Sequence, residues 1–176
     1  MDIALVDHHC HTVAREQLDR ASLESFLTGL PLQVHTGLGD PDEYLARCGP
    51  ALLAGFLRAC AGAGAPVLLL RCYPYHRQAA YLANVLPHVY LDVGLAIPHV
   101  GARASAILED ALELAPFHKL LYSSDAYGLA EHCLVAAAAF RDALSEVLRA
   151  LDVPRAERDR IANLICAENA RRVHGI

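Results

Sequence analysis

Short apolar runs that end on polar residues alternate along this chain with stretches of helical periodicity. Residues 3–6 read as a buried strand running into Asp7-His8-His9-Cys10-His11, and 22–30 as a helix with Asp19 or Ser22 as its N-cap. Residues 32–34 read as a second strand closed by His35-Thr36-Gly37, and 50–61 as a helix. A third strand, 67–70, closes on Arg71-Cys72-Tyr73-Pro74; a helix at 77–86 and a fourth strand at 89–93 follow. After a helix at 104–114, a fifth strand at 119–122 closes on Ser123-Ser124-Asp125. A long amphipathic helix spans 129–151, and Pro154 opens a last helix running to about Val173. Such alternation predicts a mainly parallel α/β sheet with helices packed around it. In barrels of alternating strands and helices the C-terminal strand ends carry the chemistry, and that is where the polar residues fall. No linker, repeat or low-complexity tract divides residues 1–176, which read as one domain.

With 176 residues, 55% hydrophobic and 20% charged, the chain can bury a sizeable core. A net charge of −5 leaves no basic stripe for phosphates, which argues against nucleic acid as a partner. No run approaches the ~18 apolar residues of a membrane span. The opening MDIALVDHH lacks the basic flank and long apolar stretch of a signal peptide. The six cysteines form no C-x-x-C pair, so reduced thiols and a cytoplasmic setting are expected.

Candidate chemistry starts at His9 and His11. Two residues apart on a strand, their side chains share a face roughly 6.6 Å apart along the backbone. Asp7 shares that face, while His8 and Cys10 point the other way. Two imidazoles so placed can grip one divalent cation. Taken alone the pair reads more readily as two hydrogen-bonded or exposed histidines. His35 and Asp125, each closing another strand, change that balance. Three histidines and a carboxylate form a mixed nitrogen–oxygen site that leaves a position for water. Asp125 would ligate the cation or act as general base; its plainer reading is the N-cap of the following turn. Tyr73 would line a pocket and His76 meet an anionic substrate. The plainer readings are a core-edge tyrosine and a solvated helix start.

At this point the residues resemble the amidohydrolase superfamily, especially the branch related to the domain fused to glutamine synthetase in FluG-type proteins. The matching stretches are VDHHCH (6–11), QVHTGLGDPD (33–42), LLLRCYPYHRQAAYLANVLPHVYLDVGLA (68–96), KLLYSSDAYGLAE (119–131) and ENARRVHG (168–175). The resemblance implies a TIM-like barrel with one catalytic metal, held by His9 and His11 from the first strand, His35 from the fifth and Asp125 from the eighth. It implies hydrolysis of an amide or ester bond in a small substrate tending to carry carboxylates, with decarboxylation known among relatives. Zinc is the expected ion and manganese the alternative.

Two departures follow. A barrel of this type has eight strand–helix units in about 250 residues, whereas five strands are expected here. The second to fourth are missing, with a junction near Leu30–Pro31. The expected fold is therefore a truncated, TIM-barrel-derived α/β sheet of about five parallel strands. A right-handed crossover would set the His35 strand beside the His9 strand. Open edges invite pairing with another chain, and a homodimer would cover them. Second, Arg71 stands where the family's sixth strand usually presents a histidine. Arginine neither ligates cations nor acts as a base. It would clamp a substrate carboxylate or mark a site without activity. The competing reading of the whole chain is a non-catalytic truncated barrel that binds metal or ligand.

Overall fold

The computed structural model describes residues 3–9, 30–39, 41, 43–62 and 64–176. Cys10, His11 and all of the expected helix at 22–30 except Leu30 lie outside them. Three strands form a parallel sheet in the order β1 (Leu32–Thr36), β2 (Val67–Arg71), β3 (Val89–Leu91). Val34 pairs with Leu69, and Leu69 with Leu91. β2 is buried along its whole length, as expected of a central parallel strand whose two faces are both covered. Val67 and Leu69 join the main core, while Leu68 and Leu70 face Leu121, Ala170 and Val173.

Among the described residues the five expected strands resolve into three. Residues 119–122 hold to β3 by one bridge, Leu91 to Leu120, in which Leu91 N donates to Lys119 O at 3.1 Å and Leu121 N to Leu91 O at 3.0 Å. The physical reason is length: β3 offers only three residues of ladder before the chain turns at Asp92. Residues 3–9 run beyond this segment, where His8 N donates to Tyr122 O and Asp125 N to His9 O. A side chain breaks the ladder there, because Asp7 Oδ1 accepts Ser124 N at 2.9 Å. The expected neighbourhood of 3–9 and β1 is likewise revised. Among the described residues the backbone bonds of 3–9 go to Tyr122, Asp125 and Cys166, at the far side of the sheet from β1. The sheet curls instead, so that the His9 side chain reaches β1 across its concave face.

The helices are α1 (Ala54–Ala59), α2 (His76–Val85), α3 (Ala96–Val100), α4 (Ala104–Leu112), α5 (Ala130–Ala150), α6 (Arg155–Asn163) and α7 (Asn169–His174). The expected helix at 50–61 is split into 3₁₀ turns around α1. Gly55 and the lack of a side-chain cap explain its weakness. α5 buries Phe140, Leu144, Val147 and Leu148, and Phe140 lies against Tyr122 with ring centroids 4.9 Å apart. Between α6 and α7 runs one π-helical turn, Leu164–Glu168. Its Cys166 carbonyl accepts Val6 N at 2.8 Å, and Asn169 Nδ2 donates to Phe117 O and Leu120 O, both at 2.8 Å. The last helix thereby clamps the two loose outer segments of the sheet. Among the described residues no helix is long and apolar enough to cross a membrane, and Cys48, Cys60, Cys72, Cys133 and Cys166 are free thiols.

Candidate metal centre

The C-terminal ends of the extended segments turn sharply. Arg71, Cys72 and Asp125 all adopt positive φ (69°, 56° and 47°), a region that non-glycine residues enter at a cost and keep where the surroundings hold them. These turns aim polar side chains at the concave face. His9 Nε2 lies 3.1 Å from His35 Nε2 and 3.3 Å from Asp125 Oδ1. One ligand atom from each of His9, His35 and Asp125 falls within 4.8 Å of the others. His35 sits inside β1, one residue before its end, and not after it.

Gln33 orients the first of these ligands. Its Oε1 accepts from His9 Nδ1 at 2.6 Å. An amide oxygen only accepts, so Nδ1 carries a proton and Nε2 is the nitrogen turned to the cluster, the orientation that suits a histidine to a metal. Two imidazole nitrogens and a carboxylate oxygen suit zinc or a related divalent ion, and the residues present fit one.

The charges are arranged around Asp125. Burial alone would raise its carboxyl pKa, but the hydrogen bond to His9 and the charges of Arg71 and His9 hold it below the usual carboxylate range. For His9, burial works downward and Asp125 outweighs it, raising the imidazole above its ordinary value. Arg71, only 5% exposed, donates from Nε to Asp125 Oδ2 at 2.7 Å. Behind it stands Asp92, 1% exposed, whose Oδ1 accepts Arg71 N at 2.9 Å and Gly94 N at 3.0 Å. Its Oδ2 lies 3.0 Å from His8 Nε2. Burial would raise the Asp92 carboxyl, yet His8 and the two backbone N–H groups hold it low.

A group whose pKa is depressed on folding lends stability that is present above its unfolded value, ~3.9 for Asp, and lost as pH falls through the folded value. In a chelating buffer, the urea midpoint should therefore hold down to roughly pH 4 and fall below it. Asp92→Asn should be less stable at neutral pH but lose less on acidification. Acid limbs of equal steepness in the two proteins would rule Asp92 out as a contributor.

Of the other expected site residues, Tyr73 and His76 stack on each other, with ring centroids 5.9 Å apart and planes 1° apart. His76 is buried, not solvated, and its Nε2 lies 3.1 Å from Asp110 Oδ2 on α4. The structure thus gathers His9, His35, Asp125 and Arg71, and pairs Tyr73 with His76. Gln33, His8 and Asp92 were not expected. Gln33 gave no signal, being one polar residue within a strand. Asp92 did give one, since it closes the run VYL much as Asp125 closes LLYSS.

The sequence model of the amidohydrolase family matches residues 21–176. The chain belongs to the amidohydrolase family. Over 118 residues the chain is 44% identical to protein fluG of Emericella nidulans, an alignment covering 66% of this chain and 14% of fluG. A solved structure named "putative metal-dependent hydrolase", from Lactobacillus casei, superposes with a TM-score of 0.83 at 34% identity, covering 90% of this chain and 43% of that one. Uronate isomerase from Thermotoga maritima superposes with a TM-score of 0.65 at 12% identity, over 98% of this chain and 48% of that one, and shows likeness of fold alone. The chain spans less than half the length of each of these relatives.

Proposed function

We propose that this amidohydrolase is a metal-dependent hydrolase that cleaves an amide or ester bond in a small substrate, with decarboxylation as the related alternative. The observation that carries the reading is the convergence of His9, His35 and Asp125 ligand atoms within 4.8 Å. His9 and His35 would hold the ion through nitrogen, Asp125 through Oδ1, and His11 would join them by its spacing from His9. A divalent ion bound there supplies Lewis acidity to the scissile carbonyl and to the attacking water.

The protein's own residues do the rest. Gln33 fixes the tautomer of His9. Asp125, kept ionised by Arg71 and His9, is the group placed to accept the proton of the attacking water and pass it to the leaving group. Tyr73 and His76 are the proposed substrate-side residues. With Nε bonded to Asp125, Arg71 is better placed to act on the site's own carboxylate than on a substrate's.

Protein purified without added metal should retain zinc or manganese when assayed by elemental analysis, and His9→Ala should bring the content to background. Hydrolysis of small N-acyl amino acids should follow the metal content and cease in chelator. Metal content indifferent to His9→Ala would overturn the ligand assignment. A fully loaded protein inert towards amides, esters and carboxylates would overturn the hydrolase reading.

A further inference from the structure

The residue that separates this site from its family's pattern is Arg71, and its surroundings say what it does. Guanidinium cannot shed its charge within a protein, and a buried charge needs a partner in contact. Arg71 has one in Asp125 Oδ2 at 2.7 Å, while the other carboxylate oxygen faces His9 at 3.3 Å. One carboxylate is thus shared between a fixed cation and the place where a divalent ion would bind. Like charges so close in a buried site, where water screens little, repel strongly.

A second acceptor stands nearby. A Cβ built on Gly39 would lie 2.0 Å from Arg71 Nη1 and 2.4 Å from Glu43 Oε2, so the two atoms crowd the same point beside that glycine. Any larger residue at position 39 would block the space between them. Glu43 Oε2 is buried and accepts no hydrogen bond among the described residues. A carboxylate oxygen withdrawn from water with no donor is costly. Here the nearby candidate donor is a guanidinium whose Nε is already on Asp125.

We propose that Arg71 is the site's internal counter-cation, holding Asp125 when no metal is bound and passing to Glu43 when a divalent ion takes that carboxylate. The proposal rests on the metal-site reading above. It makes Arg71 and Glu43 a pair that sets metal affinity without either touching the ion. Metal-free protein keeps its carboxylate neutralised, and metal binding requires a rearrangement that Glu43 stabilises.

The test is calorimetric titration of the full chain with zinc chloride, against a chelator of known affinity. Removing the charge in Arg71→Met should tighten binding by tenfold or more, on the order expected for a unit charge a few ångströms from the ion. Arg71→Gln, which keeps an amide donor for Asp125, guards against a folding defect in the methionine variant and should also tighten binding. Glu43→Gln should weaken the wild type by roughly three- to tenfold and leave the Arg71→Met background within about twofold, the non-additivity of a coupled pair. Unchanged or weaker binding in both Arg71 variants would overturn the proposal. So would a Glu43→Gln effect of equal size in the two backgrounds, since that is the plain loss of a negative charge. His9→Ala is the control for the underlying reading. If no protein in the set takes up zinc in a His9-dependent way, the metal site itself is wrong and the counter-cation falls with it.

Discussion

Replacing Asp125 with alanine should cost the metal-free protein about 3–5 kcal/mol and abolish its uptake of divalent ions. The carboxylate is 4% exposed and holds Arg71 Nε at 2.7 Å. Its loss takes from the buried Arg71 the carboxylate that its Nε holds, and removing one member of a buried charge pair costs far more than never having the pair. The backbone adds a smaller amount, because at φ 47° aspartate and asparagine are better tolerated than alanine. Asp125→Asn separates the two contributions. It keeps the backbone preference and a hydrogen-bond acceptor but not the charge, so it should lose metal as fully as alanine while losing less stability. Urea denaturation in chelator, beside elemental analysis, reads both. An alanine variant within about 1 kcal/mol of wild type would show that Arg71 does not depend on this partner.

The second large effect is expected at Gly94. A Cβ there would lie 2.0 Å from Ser123 Oγ and 2.4 Å from Ser123 O. The hydroxyl can rotate away; the carbonyl belongs to the backbone that leads into Asp125 and cannot. Gly94→Ala should therefore destabilise by about 3 kcal/mol, the upper range of forced overpacking. Because residues 123–125 must shift to make room, zinc affinity should fall with stability. Adding Ser123→Ala removes the hydroxyl clash but not the carbonyl one, so it should not restore the protein. Full recovery in that double variant would show that the contact is a side-chain matter and leave the strand end uninvolved.

Much of the site was legible because polar residues that interrupt apolar runs mark where strands stop. His35, Arg71 and Asp125 each closed such a run, and the fold brings all three to one face. The strand count was less legible. Residues 119–122 have a strand's composition, yet a ladder needs a partner of matching length, and β3 ends after three residues. That limit belongs to the neighbouring segment and cannot be read from residues 119–122 themselves. α3 went unseen because it contains a proline. Pro98 stands in the first turn of that helix, where the missing N–H would have had no partner anyway. Gln33 is a different case: its role comes from a residue 24 positions earlier in the chain, whose approach only the curled sheet produces.

The π-helical turn at Leu164–Glu168 amounts to one residue more than a regular helix would hold over the same rise. Were one residue removed there, the helix could close ordinarily, and everything after it would rotate by about 100°. Asn169 would swing off the carbonyls of Phe117 and Leu120, and Ala170 and Val173 would leave their places against Leu68, Leu70 and Leu121. The extra residue sets the angular phase of the chain's last two turns. A single-residue deletion here would thus unfasten the sheet from outside, far along the sequence from any residue that would hold the ion.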